Sequence, residues 1–292
     1  MNSITRRSFL RDGALGLTAA SLAARWPQRG FADPLGLPVG LQLYTVRKQA
    51  DKDLDGTLHA VAEIGYKEVE LPGFFKKRAS EIRKSLDAAG LACPSAHYET
   101  PDLRTGLDGR IDYAKELGLS YMVCAFLKPK ERKTLDDFRH LADFFNKVGE
   151  QIQKAGLQFC YHAHNFEYTS FDGVVAFDDL LQHTDPSLFK IELDCYWMSR
   201  AGRDPVEYLK KYPGRFPLLH IKDMKPGHPP TTDLMKGGDA FTEVGRGSID
   251  WKAIFQAAGG DLKHYFVEQD LCERPPLESA KISYEYLHNL QV

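Results

Sequence analysis

Eight short apolar runs, each followed by a stretch with helical spacing, leave few folds open to this chain. The runs cover residues 39–44, 67–71, 91–96, 121–126, 157–161, 188–194, 217–222 and 264–268. Between and after them, apolar residues recur at helical spacing over 54–64, 79–89, 107–117, 135–155, 174–183, from 204 onward, 251–257 and 277–290. Gly65, Gly90, Gly118 and Gly156 stand where four of those helices should stop. Asp204-Pro205 supplies a cap and a first-turn proline for another. Strand–helix alternation of this kind predicts a parallel sheet. Eight units in about 260 residues match a closed (β/α)8 TIM barrel. An open doubly wound sheet is the rival, but such sheets carry a Gly-rich phosphate loop after the first strand. Here Thr45-Val46-Arg47-Lys48 follows that strand and contains no glycine. A long loop, 225–247, is rich in Gly and Pro.

The strands hold ionisable residues on alternating positions, where residues two apart share a face. Cys160-Tyr161-His162-Ala163-His164-Asn165-Phe166-Glu167 projects His162 and His164 together, with Asn165 and Glu167 just beyond the strand end. Ile191-Glu192-Leu193-Asp194 pairs two carboxylates. Leu219-His220-Ile221-Lys222 pairs a histidine with a lysine, and Phe266-Val267-Glu268-Gln269-Asp270 pairs two more carboxylates. Glu70 falls near the end of the second strand, and the third runs into His97. Charges on apolar strands are costly in a core and useful in a site. In a barrel of this class the C-terminal strand ends form one active-site face, so His97, His162, His164, Asp194, His220, Lys222 and Glu268 are expected to converge. Asp194, His220, Glu268 and one of the strand-five histidines would supply two imidazoles and two carboxylates. That mixed N and O set suits Mn, Co, Fe or Zn better than Mg or Ca. Such an ion would polarise a carbonyl and stabilise an enediolate, with Glu268 as a base. Lys222 would stabilise an oxyanion or pair with a carboxylate. Gln42 and Tyr44 are expected on one face of the first strand. Tyr44, Phe126, Tyr196 and Trp197 are aromatics near the strand ends on which a sugar ring can stack.

The N-terminus reads as an address. Arg6-Arg7-Ser8-Phe9-Leu10 precedes a mild apolar run, 13–24, too short for a membrane span. The pattern resembles a twin-arginine export signal. Small residues at Gly30 and Ala32 flank Phe31, which points to cleavage after Ala32. An earlier cut near Ala24 is the alternative. The expected layout is a signal over 1–32 and one barrel domain over 33–292, passed through the twin-arginine translocase to the periplasm or the exterior. Without a cysteine after either cleavage site, no lipid anchor is expected. Residues 1–32 hold five Arg and one Asp, leaving 33 basic and 39 acidic residues in the rest, a net charge of −6. An acidic body argues against a nucleic-acid partner. The five cysteines form no CxxC pair and are expected as buried free thiols. The oligomeric state is left open.

Leu41-Gln42-Leu43-Tyr44-Thr45-Val46-Arg47, Tyr161-His162-Ala163-His164-Asn165, Leu193-Asp194-Cys195-Tyr196-Trp197, His220-Ile221-Lys222-Asp223 and Val244-Gly245-Arg246-Gly247-Ser248-Ile249-Asp250-Trp251 together resemble the sugar phosphate isomerase/epimerase family. That family belongs to the xylose isomerase-like barrel superfamily, which also holds ketose 3-epimerases, inosose dehydratase and endonuclease IV. The resemblance spans nearly all of 37–290. In the ketose epimerases a Glu, an Asp, a His and a Glu bind the metal, and the two Glu exchange the substrate proton. Carried over, the ligand positions fall on His162, Asp194, His220 and Glu268. Histidine in place of the first Glu weakens the case for two-base epimerisation. The resemblance implies a metal-dependent isomerase or epimerase acting on a neutral sugar or keto-sugar. A 3-keto-glycoside lyase or hydratase on the same site, or a non-catalytic carbohydrate-binding protein, are the alternatives. The implied catalytic groups are Glu268, His162, His164 and Lys222. Gln42, Tyr44, His97, Glu167, Trp197 and Arg246 are the expected substrate contacts, with Arg246 between its two glycines placed to bind an anionic group.

Overall fold

The computed structural model describes residues 33–292, so the expected export signal lies outside the described residues. Eight parallel strands close into a barrel in which each pairs with its neighbours in chain order and the last returns to the first. They are β1 (Val39–Gln42), β2 (Glu68–Leu71), β3 (Ala92–Tyr98), β4 (Tyr121–Cys124), β5 (Gln158–His162), β6 (Phe189–Asp194), β7 (Leu218–Ile221) and β8 (His264–Val267). Eight principal helices alternate with them: α1 (Leu54–Ile64), α2 (Ala79–Ala89), α3 (Leu107–Leu117), α4 (Leu135–Lys154), α5 (Ala176–His183), α6 (Pro205–Lys211), α7 (Trp251–Ala258) and α8 (Pro276–His288).

Local chemistry sets the boundaries. Asp53 caps α1 by accepting from the Gly56 N–H at 3.0 Å. At α4, Thr134 Oγ1 accepts from the Asp137 N–H while Asp137 accepts from the Thr134 N–H, a reciprocal cap. Gly90 and Gly118 end α2 and α3 at φ of 68° and 80°, a region that penalises any side chain. One large apolar core lies between strands and helices. A smaller plug of Val123, Cys160, Leu218 and Phe266 fills the barrel interior. A Cβ at Gly40 would stand 2.5 Å from the Phe266 ring, so glycine there makes room for the plug. Four cysteines are buried, Cys272 is half-buried, and all five are free.

Two sequence expectations need correction. β1 ends at Gln42, and the chain turns through a 3-10 segment, Leu43–Val46. The cause is local: Gln42 Oε1 accepts from the Tyr44 N–H at 3.1 Å and caps the turn. Gln42 therefore points into the barrel and Tyr44 out to its mouth, instead of sharing a face. The 225–247 loop is also more ordered than its composition suggests. It contains a short helix, Leu234–Gly237, and Phe241–Thr242 pairs antiparallel with Asp223–Met224. A further helix, Cys195–Arg200, follows β6 directly and had no sequence counterpart. Among the described residues no helix is long and apolar enough to cross a membrane.

Candidate active site

Adjacent strands bring ionisable residues into register at one end of the barrel. His162 stands opposite Glu192, and Asp194 opposite His220. The four side chains expected as ligands, His162, Asp194, His220 and Glu268, are all buried and present ligand atoms within 4.8 Å of one another. His220 Nδ1 lies 3.0 Å from Glu268 Oε2 and 3.9 Å from Asp194 Oδ2. His162 Nε2 lies 3.9 Å from the same Asp194 oxygen. Asp194 holds its own position by capping the helix after β6, its Oδ1 accepting from the Trp197 N–H at 2.9 Å. Its Oδ2 faces Lys222 Nζ at 3.0 Å. Two imidazoles and two carboxylates whose ligand atoms converge in this way make a donor set that fits a divalent transition metal.

Lys222 is 1% exposed and is the cation nearest these carboxylates. Its Nζ lies 2.6 Å from Glu268 Oε2, 2.8 Å from Asp270 Oδ1 and 3.0 Å from Asp194 Oδ2. Burial works against that charge, but Asp194, Asp270 and Glu268 outweigh it and hold the ammonium well above its ordinary value. Burial raises Asp194, with Lys222 and His220 opposing. Burial would raise Glu268 as well, yet Lys222 and His220 keep it well below the usual carboxylate range. Asp270 is pushed up to about 6 by burial against the pull of Lys222. His162 and His164 are both lowered, first by burial and then by neighbouring positive groups, so both are neutral near pH 7. His164 Nδ1 is buried without a hydrogen-bond partner. Its ring lies 4.7 Å from that of His162, edge to face, and is stacked 5.5 Å from Phe166.

Above this floor opens a cavity of about 630 Å³. His97, His162, His164, Lys222, Glu268 and Asp270 face it, and Tyr44, Phe126, Trp197, Phe241 and Met235 form much of its wall. The wall is assembled from distant segments. Phe241 stacks on Tyr196 at 4.3 Å, and Arg200 ties the 225–240 segment down through Asp239 at 3.0 Å.

Of the expected substrate contacts, Tyr44, His97 and Trp197 line the cavity. Three do not. Gln42 is fully buried and donates to Glu70 at 2.6 Å. Glu167 is buried, accepting from the Tyr161 hydroxyl and from the His164 N–H at 2.9 Å, so it anchors the strand-five end. Burial lifts it to about 7 against those hydrogen bonds. Arg246 is exposed on a loop whose backbone wraps Asp223, which accepts from the N–H groups of Gly245 and Gly247 at 2.9 and 3.1 Å and from Trp251 Nε1 at 3.0 Å. A Cβ at Gly247 would stand 2.1 Å from Asp223 Oδ1, so that glycine serves the wrap. Sequence reasoning left Glu192, Glu70 and Asp270 out of the site. The signal for them was present, since all three share the alternation that marked their neighbours.

Known proteins share this architecture. Residues 58–262 match the family described as Xylose isomerase-like TIM barrel. An inosose dehydratase of Bacillus cereus (strain AH820) is 24% identical over 265 residues, covering 79% of this chain and 87% of its own. A sugar phosphate isomerase/epimerase from Parabacteroides distasonis ATCC 8503 superposes with a TM-score of 0.72 at 27% identity, over 86% of this chain and 94% of that one. The IOLI protein, solved with a bound zinc atom, shares the fold at a TM-score of 0.67 and 15% identity, over 85% of this chain and 96% of that one. The family match spans well over half of the sequence and coincides with a closed eight-stranded barrel, so this chain belongs to the xylose isomerase-like TIM barrel family.

Proposed function

We propose that this chain is a metal-dependent enzyme that removes the proton next to the carbonyl of a polyhydroxylated ketone and expels a β-oxygen substituent. The observation that carries the reading is the floor of the cavity. A buried two-imidazole, two-carboxylate set lies beside a neutral histidine on one side and a lysine–carboxylate pair on the other. His162, Asp194, His220 and Glu268 would hold the ion, which supplies a Lewis acid for the carbonyl oxygen.

The remaining roles fall to the chain's own groups. His164, neutral and facing the cavity, takes the α-proton. Lys222 Nζ stabilises the negative charge that develops on oxygen. Asp270, with its affinity for a proton raised to about pH 6, donates to the departing oxygen. Trp197 and Phe241 shield the site from water and offer aromatic faces to a ring. The dehydratase name carried by the Bacillus cereus relative, whose match covers most of both chains, favours elimination. The Parabacteroides distasonis structure favours a second reading, isomerisation or epimerisation through the same first step. In that case His164 or Glu268 returns the proton to carbon and no substituent leaves.

Mass spectrometry of products from inososes, keto-sugars and 3-keto-glycosides, with protein loaded in turn with Mn, Co, Fe and Zn, separates the two. A product lighter by water, or split from its aglycone, supports elimination. A product of unchanged mass supports isomerisation. No turnover of any of them by loaded protein defeats both. We further propose that the chain is exported by the twin-arginine route, on the strength of its Arg6-Arg7 motif.

A further inference from the structure

Two carboxylates outside the cavity lie directly beneath the four ligand candidates, and both are completely buried: Glu70 of β2 and Glu192 of β6. Glu192 Oε2 lies 3.0 Å from His162 Nδ1, 2.8 Å from His97 Nε2 and 3.1 Å from His220 Nε2. Glu70 Oε2 lies 2.7 Å from His220 Nε2 and accepts from Gln42 Nε2 at 2.6 Å. Its other oxygen accepts from the Ser95 hydroxyl at 2.6 Å. Each ligand imidazole therefore turns one nitrogen down to a carboxylate and one up to the site. The upward atoms are His162 Nε2, 3.9 Å from Asp194, and His220 Nδ1, 3.0 Å from Glu268. They are opposite nitrogens of two rings that come from β5 and β7 and whose planes are tilted by 52°. A ring nitrogen can bind a metal only without its proton, and the partner of the other nitrogen decides where the proton stays.

We propose that Glu192 and Glu70 are positioning residues that keep the ring protons on His162 Nδ1 and His220 Nε2, so that the ion is received by His162 Nε2 and His220 Nδ1. The proposal rests on the metal-dependent function above and goes beyond it by assigning the coordinating atoms and the residues that present them. It also accounts for the cost of two buried carboxylates, which only close partners offset.

A rival use of the same layer exists. His97, His162, Glu192 and His220 also bring ligand atoms within 4.8 Å of one another and would make a lower metal position. The contacts favour the positioning role. Glu70 has both oxygens engaged by donors, and the nitrogens facing Glu192 Oε2 sit at hydrogen-bond separation. In the upper group both imidazole nitrogens stand 3.9 Å from Asp194 Oδ2, with only His220 Nδ1 closer to a carboxylate, 3.0 Å from Glu268, and Glu268 faces the cavity while Glu192 does not.

The test is zinc affinity of wild-type, Glu192→Gln and Glu70→Gln protein, read by competition with a chelator and paired with elemental analysis at saturation. The expected result is about ten- to hundredfold weaker binding in each variant, at the wild-type stoichiometry. Wild-type affinity in both variants overturns the proposal while leaving the proposed function standing. Loss of a whole equivalent of zinc in Glu192→Gln, with the upper ligands still loaded, assigns the lower layer as a metal site and overturns it too. Wild-type protein that takes up no zinc overturns both proposal and function. Should either variant fail to fold, a crystal structure of zinc-loaded wild-type protein decides. Coordination by His162 Nε2 and His220 Nδ1 is expected, and coordination by either opposite nitrogen refutes the assignment.

Discussion

Replacing Lys222 by Met removes the one ammonium that two buried carboxylates, Asp194 and Glu268, share with the half-buried Asp270. Nζ is within 3.0 Å of Asp194, Glu268 and Asp270, and the side chain is 1% exposed. Methionine has nearly the same length and fills the space, so the change is chiefly electrostatic. Deleting one partner of a buried ion pair costs about 3–5 kcal/mol, because the other charge is left uncompensated. For a domain of this size each kcal/mol moves Tm by about 2–4 °C, so the metal-free variant should melt on the order of 6–20 °C below wild type. Protonation relieves the same carboxylates. In the variant their folded pKa values rise above the unfolded ones, so the deficit is smallest near pH 4–5 and grows toward pH 8. A divalent ion on His162, Asp194, His220 and Glu268 supplies the missing charge. At a thousand times its Kd it returns about 4 kcal/mol. The assay is thermal melting followed by circular dichroism, in EDTA and in zinc, at pH 5 and pH 7.5. The variant should gain more from zinc than wild type does. A metal-free variant that melts with wild type at pH 7.5 would refute the charge accounting of the site.

Other consequences are as direct. Glu167 has a folded pKa of about 7 against 4.5 for the free side chain, so its contribution is complete below about pH 4.5 and is lost as pH rises through 7. Wild-type stability relative to Glu167→Gln should fall by about 3 kcal/mol over that window, measured by urea denaturation at a series of pH values. Gly149 lies in α4, where alanine would ordinarily help by about 1 kcal/mol. A Cβ there stands 2.4 Å from the Leu188 carbonyl oxygen, so Gly149→Ala should instead lower Tm, the overpacking cost being about 1–3 kcal/mol. The double change Arg6→Lys, Arg7→Lys should hold the chain in the cytoplasm as uncleaved precursor, seen by fractionation and immunoblotting. Processed protein outside the cytoplasm would count against the twin-arginine reading.

Much of the barrel was legible because its signals are local. Apolar runs bounded by Gly90 and Gly118 place strands and helices to within a residue or two, since those glycines sit at positive φ where the helices end. Asp194, His220 and Glu268 were legible because each stands at a strand end whose inward face was known, whereas His162 and His164 share that face and only the family resemblance singled out His162. What lay hidden depends on neighbouring strands. Glu192 was visibly on the face of Asp194, but only the register of β5 against β6 sets it under His162. Glu70 reaches His220 across the barrel, a contact between residues 150 positions apart. Gln42 and Tyr44 separate because a side chain caps its own turn, which alternation cannot reveal. Arg246 drew attention through its two glycines. Both belong to the backbone wrap around Asp223, and the arginine itself faces outward.

The central claim is that four buried side chains at the strand ends hold a catalytic metal. Elemental analysis of purified mature protein beside the His162→Ala and Asp194→Ala variants tests it most directly. The account predicts about one Mn, Co, Fe or Zn per chain in wild type and a marked loss in both variants. No bound metal in wild-type protein under any loading condition, or full occupancy in Asp194→Ala, would contradict it.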